Sequence, residues 1–166
     1  MYKRQIHIED QVSNKRCGHR PNKEIVSDSE MMDRIKAAKD SSVNDFMLMA
    51  RTDAFAQEGI ERVIERSNSY IEAGADSIFP EAIINLEDYK ILSENLSVPI
   101  LANITEFGMT PLYTEKELLE AGVDMILHPL SAFRAMSKAA EEIYNEISNQ
   151  GTCLLYTSDA ADDQAC

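Results

Sequence analysis

Cys17 stands in the run Lys15-Arg16-Cys17-Gly18-His19-Arg20, and a thiol among cationic neighbours is biased toward the thiolate, the form that does acid/base or nucleophilic work. A Lys-Arg-Cys-Gly-His run after an acidic strand end is a poor core sequence, so a buried small hydrophobe fits it less well. Gly18 lets a backbone N–H approach a ligand with no side chain in the way. Arg51 closes the unbroken apolar run Phe46-Met47-Leu48-Met49-Ala50. Its planar fork suits a bidentate hold on a carboxylate or a developing oxyanion, the plainer alternative being a surface ion pair with Asp53. Glu81 ends another apolar run, and Asn103 and Thr105 end a third, offering carboxylate, amide and hydroxyl groups to a polar ligand. Such residues also end ordinary strands. The lone histidines His7 and His128 read as interior-facing or mouth residues bonded to neighbours, not as ligands.

Such residues work only if elements hold them together. Gln5 to Asp10 alternates with period two, as a strand does, and a polar stretch rich in Lys, Arg, Gly and Pro follows as a loop. Ser27-Asp28-Ser29-Glu30 has capping-box spacing and predicts a helix to about Lys39. Phe46 to Ala50 reads as a strand buried on both faces. Ile60, Val63, Ile64 and Ile71 recur at helical spacing from Glu58 to Ala73, with Gly74 placed to end the helix. The unit then repeats: strand Asp76 to Glu81 and helix Leu86 to Leu96, strand Val98 to Asn103 and helix Thr114 to Ala121, strand Val123 to His128 and helix Ser131 to Ser148.

Five strands each followed by a helix, without hairpin signals, demand an α/β fold with a parallel sheet and right-handed crossovers. An open doubly wound sheet and a (β/α)8 TIM-type barrel both qualify. The barrel is favoured because Glu9, Asp10, Arg51, Asp53, Glu81, Asn103, Thr105 and His128 lie at the carboxyl ends of all the strands rather than at one switch point. A full barrel takes about 250 residues, so residues 1–150 are expected to be its carboxyl-side portion, some three units short. Two unpaired edges would leave that portion poorly stable alone. Residues 151–166 carry no period and resemble translated adapter read-through, so they are set aside as a non-family tail.

The chain has 166 residues and 16 Lys+Arg against 29 Asp+Glu, a formal charge of −13 that argues against nucleic acid and anionic membrane surfaces as partners. No apolar run nears the roughly 18 residues of a membrane span, and Met1-Tyr2-Lys3-Arg4 lacks the core of a signal peptide; a cytoplasmic location is expected. Cys17, Cys153 and Cys166 form no C-x-x-C pair, which points away from disulfide frameworks and zinc sites.

His7-Ile8-Glu9-Asp10-Gln11 followed by Lys15 to Lys23 resembles the signature of the isocitrate lyase / phosphoenolpyruvate mutase superfamily. The likeness continues through Ala50 to Ala54, Phe79 to Ala82, Pro99 to Gly108 and Pro129 to Arg134, five linked motifs over roughly residues 5 to 150. Asn103-Ile104-Thr105-Glu106-Phe107-Gly108 is most similar to the branch that cleaves 2-methylisocitrate. The resemblance implies a Mg²⁺-dependent carbon–carbon lyase giving pyruvate and succinate in propionate breakdown. That reaction needs loss of a hydroxyl proton, stabilisation of an oxyanion on the pyruvate side and protonation of a carbanion on the succinate side. By the same resemblance Cys17, His19 and Arg51 are catalytic, with Cys17 the thiol acid/base tuned by Lys15, Arg16 and His19. Cys17, Gly18, Arg51, Glu81, Asn103, Ile104, Thr105 and Arg134 would bind the tricarboxylate substrate. A carboxylate there would repel that ligand, so Glu81 is expected to pair with Arg51, His19 or another cation. Glu9 would sit near Mg²⁺ through water, the primary aspartate ligands belonging to strands this chain does not carry. The full-length enzyme would be a homotetramer. Isocitrate lyase, a phosphonomutase and an oxaloacetate decarboxylase are the neighbouring alternatives. An inactive barrel remnant acting only in interactions is the alternative of another class, and an unrelated βα protein binding an anionic metabolite is a third.

Overall fold

A computed structural model describes residues 5–42 and 46–153, so the tail expected at 151–166 lies mostly outside the described residues. The chain divides into two compact units, 1–128 and 129–166.

The first unit is five βα steps without the last helix: β1 Gln5–Glu9, α1 Asp28–Ser41, β2 Met47–Thr52, α2 Phe55–Glu72, β3 Ser77–Pro80, α3 Leu86–Asn95, β4 Leu101–Asn103, α4 Glu115–Glu120 and β5 Met125–Leu127. All the strand pairs are parallel: β1 with β2, β2 with β3 and β4 with β5, with Ile78 bridging Ile100 between β3 and β4. Strand order therefore follows chain order with no reversal. A doubly wound sheet would reverse at a switch point, and a barrel winds one way. These five strands are part of a (β/α)8 barrel.

Local chemistry places the helices close to where the sequence puts them. The Ser27 side chain accepts from the Glu30 amide, and α1 buries Met31 and Ile35 completely. Glu30 does not return the bond; its carboxylate lies 2.6 Å from Arg34, so the expected box is half made. At α4 the reciprocal box is complete, Thr114 and Glu117 each bonding the other's backbone. The helix expected from Glu58 begins at Phe55 and breaks at Gly59, whose φ of 77° and ψ of 178° no side-chain-bearing residue holds cheaply. Gly59 separates an entry turn from the amphipathic run that buries Val63, Arg66, Ser67 and Tyr70.

Two apolar layers result. Leu48, Ala50, Ile78, Ile100 and Ala102 face the helices with Ile35, Val63, Tyr70 and Leu92. Met49, Phe79 and Leu101, with Met125 and Leu127 against them, form a separate cluster on the other side of the strands. In the second unit α5 spans Ser131–Gln150 and ends at Gly151, left-handed with φ 68°. None of its residues is buried. Among the described residues no helix is long and apolar enough to cross a membrane.

Candidate active site

Side chains alternate across a strand, so residue parity decides which polar groups meet. The parity that puts Met49, Phe79 and Leu101 in the inner cluster puts Glu9, Arg51, Glu81 and Asn103 above them at the carboxyl ends. Asp10 and Thr52 have the opposite parity. Asp10, wholly buried, accepts from the Thr52 hydroxyl at 2.7 Å, the Asp53 amide at 2.9 Å and the Tyr70 hydroxyl at 3.0 Å. Burial pushes its carboxyl above the usual range, and these hydrogen bonds only partly offset that. Asp10 therefore ties the sheet to α2.

Glu81 is the hub. It is 1% exposed, and its Oε2 lies 2.9 Å from Arg51 Nη2 while Oε1 lies 3.2 Å from His19 Nε2. Oε1 also accepts from the Ala82 amide at 3.0 Å and from Asn103 Nδ2 at 3.3 Å. Ala82 adopts φ 61°, a left-handed backbone that costs an alanine about 1 kcal/mol and turns its N–H onto the carboxylate. Asn103 Oδ1 is buried without a protein partner among the described residues and is free to meet a ligand.

Arg51 is shared by three carboxylates. Nε and Nη2 donate to Asp53 at 2.9 and 3.1 Å, and Nε lies 3.4 Å from Glu9 Oε2. The guanidinium also sits 5.0 Å from the Phe79 ring centroid. The ion pair with Asp53 thus exists, but it is not a surface pair, since Asp53 is fully buried. Burial alone would push the Asp53 carboxyl up; the Arg51 hydrogen bond, with the charges of Arg51 and Lys23, outweighs it and holds the carboxyl below the usual range.

The segment carrying Cys17 crosses this cluster as a loop clamped at its base. Gln11 bridges Ile25 in antiparallel fashion, and the Val12 and Val26 amides bond Glu24 O and Asp10 O. Inside the loop the Gln11 side chain holds both the amide and the carbonyl of Arg16, at 2.8 and 2.9 Å. Lys23, 4% exposed, drives its ammonium inward to Gly18 O at 2.7 Å and Asp53 Oδ1 at 3.2 Å. Gly18 rests on the hub so closely that a Cβ would overlap Glu81 Cγ and the Arg51 guanidinium. Its smallness thus serves a contact with protein side chains. Sequence reasoning missed Gln11 and Lys23 as loop holders; the signal was their place at the two ends of a long polar loop that must close.

Cys17 is exposed at a turn closed by the Arg20 amide on its carbonyl at 2.9 Å. Two of the three cations expected to surround the thiol are directed elsewhere. Lys15 Nζ lies 2.6 Å from Glu9 Oε1, and His19 is held between Glu81 and the Met109 amide, which donates to Nδ1 at 2.9 Å. In a turn, neighbours in sequence point to different sides. Ile104, expected to bind substrate, instead turns its side chain into the helix-facing core, and its amide is taken by Leu127 O at 2.9 Å. Thr105 is 8% exposed beside Asn103. Arg134 lies in the first turn of α5 in the second unit, its amide bonded to Leu130 O at 2.8 Å. His7 and His128 are both exposed, His7 packing edge-on to Phe79 with centroids 5.7 Å apart.

The expected Mg²⁺ contact is only partly provided for. Among the described residues Glu9 Oε2 is buried without a hydrogen-bond partner, 3.4 Å from Arg51 Nε, and Oε1 is occupied by Lys15. Among the described residues no group of three His, Cys, Asp or Glu side chains is disposed to hold a metal ion. One carboxylate oxygen does not make a magnesium site, which takes six oxygens in near-octahedral array.

The chain is similar to known proteins in sequence and in fold. Residues 4–148 match the family described as phosphoenolpyruvate phosphomutase. The 2-methylisocitrate lyase of Escherichia coli (strain K12) is 60% identical over 148 residues, covering 89% of this chain and 50% of that protein. The chain thus spans about half the length of the curated relatives it matches. Among solved structures, that of 2,3-dimethylmalate lyase superposes with a TM-score of 0.83 at 33% identity, covering 91% of this chain and 52% of the other. A phosphonopyruvate hydrolase solved with oxalate and Mg²⁺ superposes with a TM-score of 0.75 at 26% identity, covering 95% of this chain and 54% of the other.

Proposed function

We propose, for a chain that belongs to the phosphoenolpyruvate mutase family, that its strand ends form one side of the active site of a carbon–carbon lyase cleaving 2-methylisocitrate to pyruvate and succinate. The observation that carries this reading is Glu81, a nearly inaccessible carboxylate gripped by Arg51, His19 and Asn103 beneath the Cys17 loop. A buried carboxylate so fully engaged is a device for aiming other groups. Three formal negative charges, on Glu9, Asp53 and Glu81, are matched by three positive ones, on Lys15, Lys23 and Arg51. The site therefore adds little net repulsion toward an anionic substrate.

In the reaction the substrate hydroxyl gives up its proton to a general base, and the bond between the carbinol carbon and its neighbour breaks as the carbonyl of pyruvate forms. The electron pair passes to the succinyl carbon, which takes a proton. Cys17, exposed on a held loop above the hub, supplies that proton; Arg51 and Asn103 steady the oxyanion and carboxylates. The magnesium ion seen with a relative is proposed for the whole enzyme, with Glu9 near it. The described residues do not by themselves assemble that site.

Product analysis tests the reading. The chain is co-expressed with the portion of the E. coli relative that it does not span and supplied with 2-methylisocitrate. Pyruvate and succinate are expected, with Cys17→Ser lowering turnover by about 10²- to 10⁴-fold, the range of one positioned acid or base. Glyoxylate from isocitrate would move the chain to another branch, and binding without turnover would favour the remnant reading.

A further inference from the structure

The His19 ring is approached by the protein at both nitrogens, and the two approaches differ in kind. On one side the Met109 backbone N–H donates to Nδ1 at 2.9 Å. A backbone amide is only a donor, so this nitrogen must present a lone pair, and a neutral imidazole then carries its proton on Nε2. On the other side Nε2 lies 3.2 Å from Glu81 Oε1, buried and without an aligned hydrogen-bond partner among the described residues. A donor held near a carboxylate but not spent on it is available to a ligand.

Gly108 explains how Met109 comes so close. Its φ is not among the positive ones, so backbone freedom is not the reason for glycine here. Space is the reason: a Cβ at 108 would lie 2.9 Å from Thr105 Cγ2, 3.0 Å from His19 Cε1 and 3.1 Å from Thr105 O. Carbon contacts that short force one partner to move, and Thr105 O is backbone that also accepts from the Gly108 amide at 3.2 Å. The ring is the part free to yield.

We infer that the turn after β4 is a positioning element for His19: Gly108 leaves room for the ring, and the Met109 amide locks it as the Nε2–H tautomer, making His19 a proton donor toward the site. The role of His19 in turnover rests on the lyase reading above; the tautomer does not, and it is measured separately. The chain has three histidines, so His7→Gln and His128→Gln assign the imidazole signals of a long-range ¹H–¹⁵N spectrum. The expected result at neutral pH is a protonated Nε2 and an unprotonated Nδ1 for His19. Gly108→Ala and Met109→Pro should each convert this to a mixture of tautomers. Met109→Leu, which keeps the amide, should leave it unchanged. A His19 protonated on Nδ1, or on both nitrogens, overturns the inference even if no variant folds. So does an unaltered Nε2–H signal in both Gly108→Ala and Met109→Pro. Failure of the lyase reading would appear instead as absent pyruvate with the tautomer intact.

Discussion

At the scale of the residue, the candidate site is built from carboxylates held by cations rather than from isolated reactive groups. Asp53 shows the consequence most directly. Its folded-state pKa lies below the ordinary 3.8, so the stability it contributes is fully present above that value and is lost as the pH falls through 3.8 toward the folded pKa. Asp10 has the opposite sign. Its raised pKa adds an unfavourable contribution that is absent at low pH and grows as the pH rises through its folded value. Asp53→Asn should therefore lower the urea midpoint at neutral pH, and the gap from the parent should narrow as the pH drops below 3.8. A gap that stayed constant across that range would mean the carboxylate is not held down by Arg51.

At the scale of the element, helices are started by caps and held by what they bury. The α1 helix is fixed by Met31 and Ile35, both without solvent exposure, while its Ser27 cap satisfies one amide at the surface. Ile35→Ala should cost about 3 kcal/mol through lost transfer energy and a residual cavity. Ser27→Ala should cost about 1 kcal/mol. Chemical denaturation of the two variants ranks the effects, and equal losses would show that α1 docks more loosely than its burial implies. Among the described residues the sequence located all five strands and all five helices, because period, caps and terminating glycines are local signals. It misplaced the start of α2, because the break at Gly59 is a backbone state that apolar spacing does not register.

At the scale of the whole molecule, exposed apolar surface is the dominant fact. Phe107 is 95% exposed and Leu119 69%, and on the separate α5 unit Phe133, Met136 and Tyr144 are 62%, 64% and 72% exposed. Among the described residues β1 pairs only with β2, and β5 only with β4. Bare parallel edges and scattered large apolar side chains recruit other chains. The chain alone should associate with rising concentration in sedimentation velocity and bind an apolar dye. Co-expression with the portion of a relative that it does not span should reduce both signals. A dye-free monomer at every concentration would contradict this.

From the sequence alone came the order of elements, the parallel α/β class, the acidic balance and the linked motifs that resemble one superfamily, since each depends on neighbours in the chain. The polar residues at the strand ends were legible too, as a set. Which of them meet was decided only in three dimensions. Parity sends Glu9, Arg51, Glu81 and Asn103 to one face and Asp10, Thr52 and Ile104 to the other, and the sequence shows that parity only once strand register is known. The partners of His19, at Glu81 and Met109, and of Lys23, at Asp53, lie 30 to 90 residues away along the chain. Contacts that distant follow from the closing of the βα steps on one another, which no local pattern encodes.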